Sequence, residues 1–136
     1  MRTLLTSLVL AAVFVFPCTV PAGDIDGSAP LVCALLKVLE CPEGEDCFER
    51  STSDPSIPRI VTIDFAAKEI RSAPVGGPLR TTSFEEVQRA GESIILQGVQ
   101  NNRAWSLLLD TTSGRMNISA SDHQVVFVVF GTCSLK

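Results

Sequence analysis

The chain has 136 residues, 46% apolar and 19% charged, with a net charge of −4. That balance excludes disorder and collagen-like composition and leaves room for a single core of ordinary domain size. No basic stripe is available to neutralise phosphates, so nucleic acid is not an expected partner.

The chain opens on a positive charge at Arg2, continues apolar from Leu4 to Phe16 apart from Thr6 and Ser7, and reaches small residues at Val20-Pro21-Ala22. Residues 1–22 therefore read as a signal peptide cut after Ala22. The apolar run is about 13 residues, where a spanning helix needs about 20, so no membrane span is expected after cleavage. Pro17 stands where lipidation at Cys18 wants a small residue. Loss of Arg2 takes the net charge to −5, and acidic residues crowd between Gly23 and Asp54.

Residues 23–30, rich in Gly, Asp, Ser and Pro, are expected to form a loose new N-terminus. The run from Leu31 to Glu40 places Leu31, Leu35, Leu36, Val38 and Leu39 as a helix of two to three turns would, although a short apolar run also fits a buried strand. The helix is the favoured reading. Pro42 and Gly44 end it, Cys41 to Cys47 forms a loop, and residues 51–58 form an irregular connector. Residues 23–58 thus read as an N-terminal helix and disulfide loop, and residues 59–136 as an antiparallel β region, within one folding unit, 23–136.

From Arg59 the period changes to two, with Val61, Ile63 and Phe65 on one face, and a partner strand is expected near Glu69 to Ser72. Leu79 to Val87 is ambiguous; Ser83-x-x-Glu86 has the form of a weak helix start. Ser93 to Val99 and Ala104 to Asp110 make the clearest hairpin, turning through Gln100-Asn101-Asn102 and aligning Trp105, Leu107 and Leu109. A further strand aligns Met116, Ile118 and Ala120. The last, Val125 to Phe130, is apolar on both faces and is expected to be covered on both sides. The expected fold is mostly β: an antiparallel meander, as a twisted sheet or small barrel, with one short N-terminal helix tied on by disulfides.

The mature chain keeps Cys33, Cys41, Cys47 and Cys133, an even set in an exported chain. On a helix, Cys33 and Cys41 would stand about 12 Å apart, beyond the roughly 7 Å limit for bridged Cα atoms. Two pairings remain. Cys33–Cys133 with Cys41–Cys47 is favoured over Cys33–Cys47 with Cys41–Cys133, because Cys41 and Cys47 can close the Pro-Gly loop locally.

His123 is the sole histidine, and Ser121-Asp122-His123 side by side makes no triad, because adjacent side chains point apart. It reads as a solvated turn residue, with Asp122 shaping the turn. Glu40, Glu43, Glu45 and Asp46 offer oxygen atoms but not the spacing of a calcium loop. No catalytic, cofactor-binding or metal-ligating residue is assigned. Trp105 and Arg103 are singled out as a possible binding surface, against the plainer readings of core indole and solvated guanidinium.

Taken together, Leu31-Val32-Cys33-Ala34, Val38-Leu39-Glu40-Cys41, Cys47, Ile57 to Asp64, Ile94 to Val99, Arg103 to Leu107, Ser113 to Met116 and Val129 to Cys133 resemble a group of small exported bacterial proteins. The resemblance spans most of the mature chain. It implies a bacterial periplasmic or secreted setting and a four-cysteine pattern, and it brings no known activity. The expected function is a noncatalytic periplasmic module that binds an envelope component or another exported protein. The alternatives are a small hydrolase using carboxylates or His123, and a calcium-responsive protein using the acidic loop at residues 40–47.

Overall fold

The structure, a computed structural model, describes residues 24–51 and 53–136. The expected signal peptide lies outside the described residues. Ten strands follow in chain order: β1 (Leu31–Pro42), β2 (Phe48–Arg50), β3 (Ile60–Asp64), β4 (Glu69–Ser72), β5 (Arg80–Ser83), β6 (Glu86–Ala90), β7 (Ser93–Gln100), β8 (Arg103–Asp110), β9 (Arg115–Ser121) and β10 (Val125–Leu135). They form one antiparallel sheet in the order β5-β4-β3-β1-β10-β9-β8-β7-β6, with β2 pairing the far half of β1. Among the described residues no helix is long and apolar enough to cross a membrane.

The N-terminal helix is not there: Leu31 to Glu40 lies within β1, the longest strand. The reason is a β-bulge. Leu31, Cys33 and Leu35 pair in register with Leu135, Cys133 and Gly131, and then the register slips so that Lys37 meets Phe130. Leu36 is the extra residue, swung out to solvent, and after it Val38 is buried. Inward positions 31, 35 and 38 thereby acquire the four-then-three spacing of a helix face while the backbone stays extended. Strand β1 also joins the two halves assigned from the sequence, since it pairs β10 along its length and β3 at its start.

The sheet curls into a half-barrel because its two ends are parts of one stretch of chain. Phe84 donates its N–H to Lys68 O on the β4 side, and Glu85 donates to Gln97 O on the β7 side. The chain therefore passes from one sheet end to the other across a single peptide. The ambiguous segment around Leu79 to Val87 is this handover, with no helix start at Ser83. Gln100 clasps the same seam, its Nε2 donating to Thr81 O at 3.1 Å and its Oε1 accepting from Thr82 Oγ1 at 2.6 Å.

The core fills the concave side with Leu31, Cys33, Ile63, Ile94, Leu96, Leu107 and Leu109, all fully buried, and Phe84 at the seam. Residues 24–30 are not a loose tail at this end. Ile25 is buried in the same cluster, and Arg89 donates to the carbonyl of Asp26. On the convex side, Val126 and Phe130 of β10 stand 39% and 43% exposed, so the expected cover on both faces of the last strand is absent. Cys33 is bonded to Cys133, its register partner, and Cys41 to Cys47. Cys33 and Cys41 are kept apart by strand rise, about 3.3 Å per residue, which separates them further than a helix would.

Candidate functional site

Register alone assembles one row across the concave face. Gly98 of β7 lies opposite Trp105 of β8, Trp105 opposite Ala120 of β9, Ala120 opposite Phe127 of β10, and Phe127 opposite Glu40 of β1. One step towards the open end, Gln100 faces Arg103 across the β7–β8 turn. That turn has two residues, Asn101 and Asn102, at φ 51° and 65°, the left-handed pair of a type I′ hairpin. It fixes the register of everything beside it.

A hollow of about 270 Å³ opens here, lined by Ile70, Thr82, Gln100, Arg103, Trp105 and Ile118, among others. Gly98 gives the indole its seat: a Cβ at that position would lie 2.8 Å from Trp105 Cζ2 and 2.9 Å from Cε2. Trp105 is only 8% exposed, and its Nε1 is buried with no hydrogen-bond partner among the described residues. An orphaned buried donor costs about 1–3 kcal/mol, so it is a feature in need of a reason.

Arg103 stands at the mouth. Its Nε donates to Asp122 Oδ2 at 2.9 Å, and its guanidinium carbon sits 4.9 Å from the centroid of Phe127. Asp122 is itself held, Oδ1 accepting from the N–H groups of Gln124 at 2.9 Å and Val125 at 3.0 Å. The Gln124 N–H, and then Arg103, lower its pKa from the usual 3.8 to about 2. At the edge of β1 and β2, Arg50 bridges Glu40 at 2.6 Å and Asp54 at 2.5 Å. The Ser56 hydroxyl, and then Arg50, take Asp54 to about 2 as well.

Both carboxylates are depressed on folding, so their stabilisation is complete above the unfolded value near 3.8 and disappears as pH falls through about 2. Melting temperature is expected to fall between pH 4 and pH 2, and Asp122→Asn with Asp54→Asn should flatten that fall. An unchanged slope in the double variant would locate the acid sensitivity elsewhere.

The residues singled out from the sequence separate in space. Trp105 and Arg103 line one hollow, Trp105 as a largely buried wall and not an exposed platform. His123 is exposed in the β9–β10 turn. Glu40 of the acidic stretch is tied to Arg50, whereas Glu43, Glu45 and Asp46 lie exposed in the turn after β1. Among the described residues no three His, Cys, Asp or Glu are grouped to hold a metal ion. Sequence reasoning missed Phe127, Gln100 and Thr82. Their only sequence signal was the Asn101-Asn102 turn, which sets the register that brings them in. No family model, curated protein or solved structure matches this chain.

Proposed function

We propose that the mature chain is a noncatalytic binding module, exported to the periplasm or secreted, that receives part of an envelope component or exported partner in the hollow beside Trp105. One observation carries this reading: the hollow sets an apolar wall of Ile70, Trp105, Ile118 and Ala120 beside the Arg103 guanidinium, whose Nη groups make no hydrogen bond to the described residues. The two disulfides are compatible with an oxidising compartment.

The hydrolase alternative draws less support. A general acid near neutral pH needs a raised carboxyl, and the four carboxylates with clear shifts, Asp26, Asp54, Asp110 and Asp122, are all lowered, by hydrogen bonds in turns. The calcium alternative would need Glu40 to leave Arg50.

The test uses the oxidised chain 23–136 and the fluorescence of its sole tryptophan. A mixed panel of acids, amines, alcohols and glycan fragments is titrated alongside Ala120→Leu, which fills the hollow. At least one class should change the emission and raise the melting temperature by mass action in the parent only, with the ligand recovered unaltered. Failure of every class on folded protein, or chemical conversion of a ligand, overturns the reading.

A further inference from the structure

Among the residues lining the hollow, Arg103 alone carries a charge. Gln100 is used on both sides of its amide, donating to Thr81 O and accepting from Thr82 Oγ1. Asp122 accepts from two backbone N–H groups and from Arg103 Nε. The two Nη groups of Arg103 make no hydrogen bond to the described residues. An anionic acceptor on an incoming molecule matches those two groups.

The guanidinium is also held in place. Its Nε is tied to Asp122 and its guanidinium carbon lies over the Phe127 ring, contacts that restrain the side chain before a ligand arrives. Paired N–H groups on a rigid plane match a carboxylate in bidentate fashion, which an amine or alcohol cannot reproduce. Ile70, Ile118, Ala120 and the indole supply an apolar wall next to this fork. The hollow, at about 270 Å³, lies just below the usual range of roughly 300–1,000 Å³ for ligand pockets, so its occupant is small.

We infer that the hollow binds a small carboxylate with an apolar body, the carboxylate on the Arg103 Nη groups and the apolar body against Trp105 and Ile118. This rests on the binding-module reading and names its ligand class. Such a group could be a free aliphatic acid or the C-terminus of an exported peptide with an apolar last residue; the chemistry is shared.

The experiment titrates the oxidised chain 23–136 with octanoate, octanamide and octylamine, and with a short peptide ending in leucine as free acid or amide, reading Trp105 emission and heat of binding. Octanoate is expected to bind at least about tenfold more tightly than octanamide, the margin a charge-assisted bidentate pair supplies, with octylamine weakest. The peptide pair shows which source is preferred: a free-acid peptide tighter than octanoate marks a peptide terminus, the reverse a free acid, and either supports the carboxylate. Arg103→Gln should erase the acid-over-amide preference, and Arg103→Lys should retain part of it by charge alone. Should Arg103→Gln fail to fold, the parent's acid-to-amide ratio still decides. Equal binding of octanoate and octanamide overturns the carboxylate and leaves the binding module standing. Silence of all five probes likewise overturns the carboxylate, and the mixed panel then decides the broader reading separately.

Discussion

Replacing Cys33 and Cys133 together by alanine should cost about 4–5 kcal/mol of unfolding free energy, because the bridge closes a sequence separation of 100 residues and removes that loop's freedom from the unfolded chain. The same arithmetic applied to Cys41–Cys47, six residues apart, gives about 2 kcal/mol. The long bridge also lies in the core, Cys33 fully buried and Cys133 nearly so, and the alanines leave unfilled volume there. Against a typical total of about 5–15 kcal/mol, its loss removes much of the stability, whereas the short bridge trims a turn. Denaturant melts of the two double variants under oxidising conditions make the comparison. If Cys41→Ala with Cys47→Ala cost as much as the core pair, loop-closure entropy would not be what the long bridge contributes.

The parts of this fold that could be read from sequence are those whose cause is local. Val61 and Ile63 alternate in and out as the period of two required, and Asn101-Asn102 turns β7 into β8 with the register intact. Turn chemistry sufficed there. The misread parts have causes that lie elsewhere in the chain. Leu36 is extruded from β1 by a register slip against Gly131 and Phe130, and nothing in residues 31–40 announces it. Ile25 is buried although its neighbours Asp24, Asp26 and Gly27 read as tail, because it joins a core cluster built from strands far along the chain. The same division runs through the site. Trp105 was legible as core and Arg103 as a candidate surface residue, but Asp122 and Phe127 meet Arg103 only once β8, β9 and β10 are in register.

The seam is the least local feature of all, and it carries the second large prediction. Phe84→Ala should cost about 3–5 kcal/mol, the usual penalty for emptying a buried aromatic site. The side chain is 2% exposed and meets Phe65 edge-on, the ring centroids 6.4 Å apart. Its backbone is where the chain leaves β4 for β7, so the cavity opens beneath both halves of the handover. Hydrogen exchange should accelerate first at residues 80–90, with the β8–β9–β10 ladder protected to higher denaturant, because those strands keep both neighbours. Gln100→Met provides the contrast. It removes two hydrogen bonds from the same seam without emptying the core, worth about 1 kcal/mol each at most, and Thr82 remains near enough to solvent to recover one. Were Gln100→Met to loosen residues 80–90 as much as Phe84→Ala, the ends of the sheet would be joined by the polar clasp and not by the buried ring. The hollow would then lose its floor and its rim in one step, since Thr82 and Gln100 line it. If the ring holds the seam, Gln100→Met leaves the fold in place and alters only the mouth of the hollow.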